Sequence, residues 1–287
     1  MRIVGCTLVA NARRLDFPIV PAIRSILPLC DEVIVNLGPS TDDTRELILG
    51  IADPRLRIIE GVWLPAPGGA TLAVETQRVL DAAVGDWAVY IQADEVLHEA
   101  SLEPLVRTIH AAHHDRAVDG VLVNYRHFYG SFELLGGNRT WYRREVRAVR
   151  LGVGVRSHQD AQGFRLGPEA RRLRARASEA LMFHYGWARP LAALREKYLV
   201  DRELYGADGR PPRRPLPSRL PWQVGLRRFH GTHPRVAQEW IAERRGLLPD
   251  GFEPAAWGSR QLQLGVALAV ERISGWRPFE YRNYEIV

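Results

Sequence analysis

Lysine is almost absent from this 287-residue chain: Lys197 is its only one, against 38 arginines. The formal charge of +6 therefore rests on guanidinium groups, and these alternate with acidic residues over most of the length. No concentrated basic face with interleaved aromatics stands out, which argues against nucleic acid as a partner. There are only two cysteines, Cys6 and Cys30, both inside apolar segments and at no metal-binding spacing. Buried reduced thiols are expected, not a disulfide, a cluster or a nucleophile. Long apolar runs are missing too. The best, Leu264 to Val270, is short and flanked by Arg260, Glu271 and Arg272, well under the roughly 18 residues a membrane span needs. Met1-Arg2 leads directly into a strand-like run with no charged-then-apolar leader, so a cytoplasmic location is expected.

With 46% apolar residues the chain has material for one substantial core. Strand-like runs at Ile3–Val9, Glu32–Leu37, Leu56–Glu60 and Ala88–Ile91 alternate with helical patterns at Phe17–Leu29, Asp42–Leu49 and Ala70–Val84. That alternation predicts a mostly parallel sheet flanked by helices. Thr41 is the expected N-cap of the second helix. A helix over Ser101–His114 and a strand over Gly120–Phe128 follow, and Trp141–Arg150 reads as an exposed strand or hairpin arm. From Pro190 onward, helices over Pro190–Tyr205, His233–Arg245 and Ser259–Ser274 predict a mostly helical C-terminal extension. The expected division is thus residues 1–189 and 190–287. No GxGxxG follows the first strand, which disfavours a dinucleotide-binding sheet.

The stretch WAVYIQADEVLHE, Trp87 to Glu99, carries the strongest chemical signal. A buried strand ends abruptly at Gln92-Ala93-Asp94-Glu95. Open α/β sheets bind ligands outside the carboxyl ends of their strands. The order strand, helix, strand, Ser-Thr-Asp turn, helix, strand, helix, strand, acidic knot resembles the nucleotide-sugar half of family 2 glycosyltransferases, which have the GT-A (nucleotide-diphospho-sugar transferase) fold. The resemblance covers residues 2 to 100. It departs from the family pattern in three places: Asn36-Leu37 replace a pair of aspartates within VIVNLGPSTD, Pro39 is an insertion, and Gln92 replaces the first aspartate of Asp-x-Asp.

The resemblance implies transfer of a sugar from a nucleotide-diphosphate donor to a saccharide, lipid-linked or small-molecule acceptor. Charge developing on the departing phosphate would be met by Mn2+ or Mg2+, hard cations that favour oxygen ligands. Asp94 is the implied metal ligand, with Glu95 in reserve and Gln92 able to hydrogen-bond a ribose hydroxyl or a metal-bound water. His184, within Phe183–Pro190, a segment resembling one in bacterial glycosyltransferase-like proteins, is placed to complete the metal site. Donor contacts are expected from Thr7, Ala10, Asn36, Gln77, Arg78, Gln92 and Asp94. An inverting transfer also needs a base at the acceptor hydroxyl. Asp160, in the polar stretch Ser157–Arg165, is the first choice, Glu133 the second, and His158 a candidate contact to phosphate or acceptor. The missing aspartates keep a second reading open, a non-catalytic or metal-independent nucleotide- or sugar-binding module. The run His110/His113/His114 reads as an exposed helix end, and Arg171–Arg176 as solvated or paired with Glu169 and Glu179. The arginine-rich Arg210–Arg228 stretch reads as a solvated loop, with contact to anionic lipid at a membrane surface or to a diphosphate acceptor as the alternatives.

Overall fold

A computed structural model describes residues 1–205, 219–254 and 258–287. Its first half contains β1 (Ile3–Val9), α1 (Ile19–Ile26), β2 (Glu32–Leu37), α2 (Thr44–Leu49), β3 (Leu56–Glu60), α3 (Thr71–Ala82), β4 (Trp87–Tyr90), β5 (Glu95–Leu97) and α4 (Leu102–His113). β6 (Gly120–Tyr129), β7 (Leu134–Leu135), β8 (Arg144–Arg150), β9 (Val155–His158), β10 (Gly163–Leu166) and the 17-residue β11 (Arg171–Trp187) follow. Beyond them lie α5 (Leu191–Tyr205), β12 (Leu220–Pro221), β13 (Arg227–Arg228), α6 (Gln238–Arg244), β14 (Phe252–Glu253), α7 (Ser259–Ser274) and β15 (Tyr284–Ile286). The main sheet runs β3-β2-β1-β4-β8-β6-β11-β10-β9. β1 through β4 are mutually parallel, as their helical connections predict, and β11 is parallel to β6.

Two apolar layers sandwich this sheet because its central strands are buried on both faces. One gathers Ile19, Ile23 and Ile26 of α1 with Leu105 and Ile109 of α4, and the other takes Val79 and Leu80 of α3 with Tyr90 and Phe164. Cys6 and Cys30 are free buried thiols, as their apolar settings predicted.

Three expectations are corrected. The Trp141–Arg150 arm is not exposed: β8 lies at the middle of the sheet, antiparallel to both β4 and β6, with Glu145 through Val149 buried. Its arginine-apolar alternation mimicked a surface strand because Arg147, fully buried, is charge-compensated internally. The Arg171–Arg176 run opens β11 and pairs elsewhere than expected, Arg171 and Arg174 with Asp119 and Arg176 with Asp115. Thr41 does not cap α2, which starts at Thr44 after Asp43. Ser40, Asp42 and Thr44 instead accept the backbone N–H groups of Asn11, Arg14 and Ala12 and so brace the β1–α1 loop.

Helices α5, α6 and α7 bear out the helical character expected of the C-terminal hundred residues. The chain end nevertheless returns to the sheet, where β15 pairs with β11. Residues 206–218, which include the first nine positions of the Arg210–Arg228 stretch, lie outside the described residues. Among the described residues, no helix is long and apolar enough to cross a membrane.

Candidate functional site

A cavity of about 340 Å³ opens at the carboxyl ends of β1 and β4. Leu8, Ala10, Arg14, Trp63, Tyr90, Gln92, Asp94, Lys197 and Asp201 are among its lining residues. The position follows from topology, since parallel strands deliver their loops to one edge of the sheet.

Asp94 sits where β4 ends, and the following turn is stapled down from two sides. Its own carbonyl accepts the Tyr185 N–H at 2.8 Å, and β5 pairs antiparallel with β11 in a register that sets Glu95 opposite His184. Residues 90 positions apart are thereby brought side by side. The His184 Nε2 atom lies 3.6 Å from Asp94 Oδ2, and the Lys197 ammonium, reaching over from α5, lies 3.8 Å from the same oxygen. Burial pushes the Asp94 carboxyl up, but the opposing charges of His184, Lys197 and Arg189 win and hold it well below the usual carboxylate range.

The orientation of His184 is set by a relay. His127 is buried, and its Nε2 lies 2.7 Å from the Tyr142 carbonyl, an acceptor only, so Nε2 carries the proton. Burial holds the His127 pKa well below 6.5, so the ring is neutral and its Nδ1 must accept. The His184 Nδ1, 3.0 Å away, is therefore the donor in that contact. His184 then directs its remaining nitrogen, Nε2, at Asp94. A backbone without a side chain makes room for this pair: a Cβ on Gly186 would stand 2.6 Å from Nε2 and 3.0 Å from Asp94 Oδ2.

Glu95 is not a reserve ligand. Both of its carboxylate oxygens are held in the interior by Arg147, at 2.8 and 2.9 Å. They also accept the Tyr125 hydroxyl and the Gln92 backbone N–H. Glu95 therefore acts as the internal anchor of the turn that presents Asp94.

Of the expected donor contacts, Ala10, Gln92 and Asp94 line the cavity. Thr7 is wholly buried within β1. Asn36 is buried as well, its amide donating to the Glu75 carbonyl and carboxylate. Gln77 joins Asp81 and the Ser157 N–H, and Arg78 is ion-paired to Glu75, so neither points to the cavity. Asp160 is exposed on the β9–β10 turn, where its carboxylate accepts the Gln162 N–H. That turn abuts the knot, because Gln92 Nε2 donates to the Ala161 carbonyl at 3.4 Å, yet Asp160 is not among the lining residues. Glu133 pairs with Arg245 away from the cavity, and His158 is half-buried in β9.

Sequence reasoning missed Lys197, Asp201, Trp63 and the His127 relay. The isolation of a single lysine among arginines was the one available signal for Lys197. Trp63 is packed against Gly38 and Gly61, where added Cβ atoms would come within 2.7 Å of its ring.

Fold and cavity together define an α/β protein with its ligand cleft at the strand ends and a buried, charged Asp94 in that cleft. The chain belongs to glycosyl transferase family 2, whose family model matches residues 18–165, 148 of the 287 residues. Its architecture is the GT-A fold. Among solved structures it is similar to Staphylococcus aureus TarS in complex with UDP, at 18% identity and a TM-score of 0.35 over 45% of this chain and 36% of that one. It is also similar to the glucosyl-3-phosphoglycerate synthase of Mycobacterium tuberculosis in complex with Mn2+, UDP and phosphoglyceric acid. There the identity is 24% and the TM-score 0.33, over 44% of this chain and 43% of that one. The chain thus spans less than half the length of either structure. No curated protein sequence matches it.

Proposed function

We propose that the protein is a glycosyltransferase that moves a sugar from a nucleoside-diphosphate donor bound in the Asp94 cavity to an acceptor hydroxyl, with inversion at the sugar carbon. The observation that carries this reading is the Asp94–His184–Lys197 constellation at the carboxyl end of β4. Transfer forms a bond from the acceptor oxygen to the sugar carbon and breaks the bond to the phosphate oxygen, which leaves with the electron pair. Negative charge grows on the diphosphate, and positive groups fixed in advance stabilise it. The Lys197 ammonium stands beside the cavity for that purpose, and Arg14 lines its mouth. Trp63 offers a flat apolar wall to a nucleobase.

Asp94 Oδ2 and His184 Nε2 are the two protein atoms that would hold a divalent ion, the balance coming from donor oxygens and water. Their fit is supported by the Gly186 cradle and by the relay that leaves Nε2 as the outward nitrogen. Bound there, Mn2+ or Mg2+ would supply further positive charge to the leaving diphosphate. Lys197 favours a second reading, in which the donor binds without a metal because this cation already faces the carboxylate.

The acceptor proton needs a carboxylate in reach. Asp201 lines the cavity on the same face of α5 as Lys197, one turn on, and we assign the base to it in preference to Asp160. Calorimetry of UDP and GDP, with Mn2+ and with chelator, tests the function. Binding to the wild type that drops at least tenfold in Asp94→Asn supports it, and no nucleotide binding under either condition overturns it. Transfer assays of Asp201→Asn and Asp160→Asn then locate the base, which lowers kcat and spares donor affinity.

A further inference from the structure

A second cavity, of about 390 Å³, lies between β6, the Trp141–Arg144 segment, α7 and the chain end. Seven of its lining side chains are arginines and two, Glu271 and Glu280, are acidic. Arg143 and Arg277 pair with Glu271, and Arg143 and Arg282 with Glu280, which uses up the available carboxylates. Among the described residues, Arg126, Arg227 and Arg272 form no ion pair, and Arg144 reaches only the neutral Asn124 oxygen. Arg126 is half-buried, and burial together with the nearby Arg227 charge lowers its pKa.

Packing like charges around a concave space costs stability and is unexplained by the fold, because none of these four guanidiniums completes a structural ion pair. Guanidinium groups bind phosphoryl oxygens in a two-pronged geometry, and several converging on one space select multiply charged anions. The size falls within the range of small-molecule sites. One lining residue, His127, also belongs to the donor side, since its Nδ1 holds His184.

We propose that this arginine-walled cavity binds a phosphate-bearing ligand, the acceptor of the transfer. The anion site itself stands on the charge and shape of the cavity, and only the identification of its occupant as acceptor rests on the glycosyltransferase reading. The phosphoryl group is the shared chemistry of a soluble phosphorylated acceptor and a lipid-linked one.

The test uses the full chain and inorganic pyrophosphate as probe, followed by calorimetry at low ionic strength without divalent ions. The double variant Arg126→Gln/Arg227→Gln is expected to weaken pyrophosphate binding at least tenfold while its Tm stays the same or rises, because a repulsion is removed. Lys197→Met should leave that binding within twofold and instead weaken UDP or GDP. Pyrophosphate binding that is absent, or indifferent to the arginine variant, overturns the proposal even if nucleotides bind. Arginine-dependent pyrophosphate binding without any nucleotide binding upholds the anion site and removes its assignment to the acceptor. Sedimentation with phosphatidylcholine vesicles, plain or carrying phosphatidic acid, separates the sources. Arginine-dependent capture by the anionic vesicles identifies a lipid phosphate, and pyrophosphate binding without capture identifies a soluble one.

Discussion

Replacing Arg147 by methionine is expected to be among the most damaging single changes in this protein. Both Arg147 and Glu95 are 0% exposed, and two hydrogen bonds at 2.8 and 2.9 Å join them. The Arg147 guanidinium also lies 5.5 Å from the Tyr90 ring centroid and 5.4 Å from that of Tyr125. Methionine fills much of the space but strands a buried carboxylate, and breaking such a pair from one side costs about 3–5 kcal/mol. Removing the charge at both ends costs much less, so Arg147→Met/Glu95→Gln should be more stable than Arg147→Met alone. Glutamine still offers an oxygen to Tyr125 or to the Gln92 N–H. Urea unfolding followed by tryptophan fluorescence measures all three variants. Since Glu95 anchors the turn bearing Asp94, nucleotide affinity should fall in parallel with stability. A cost below about 1 kcal/mol for the single variant, or a double variant no more stable than it, would refute the internal-anchor argument.

Burial pushes the Glu145 carboxyl up to about 7 from its usual 4.5, against the pull of Arg147 and the Val146 N–H. A carboxyl raised in the folded state contributes stability that is complete below about pH 4.5 and is lost as pH rises through about 7. Glu145→Gln should therefore be more stable than wild type at pH 8, by up to about 3 kcal/mol, with the advantage gone near pH 4.5; Tm measured across that range decides it. Gly186→Ala should lower nucleotide affinity at least tenfold with a small change in Tm, because the methyl group meets His184 and Asp94; unaltered affinity would exclude their pairing from the site. Lys197→Met should weaken nucleotide binding in chelator more than in Mn2+, and an equal loss in both would argue against a metal-like role for the ammonium.

The parallel half of the sheet was readable because its strands are short apolar runs punctuated by helices, a pattern fixed by local burial. β8 was misread for a physical reason. Alternating arginines look solvated unless their partners are known, and the partner of Arg147 lies 52 residues back in Glu95. The same holds for Asn36 and Arg78, polar residues that resemble ligand contacts but are both bonded to Glu75 of α3.

By itself, the sequence determined the α/β class, the placement of Asp94 at the end of a buried strand and the absence of a dinucleotide loop, since these depend on residues close together in the chain. Tertiary structure decided which groups Asp94 meets. His184 reaches it through strand register, Lys197 through the docking of α5, and Glu95 is withdrawn from it by Arg147. Electrostatic partnerships act through space, and their strength depends on burial and separation that no spacing along the chain encodes.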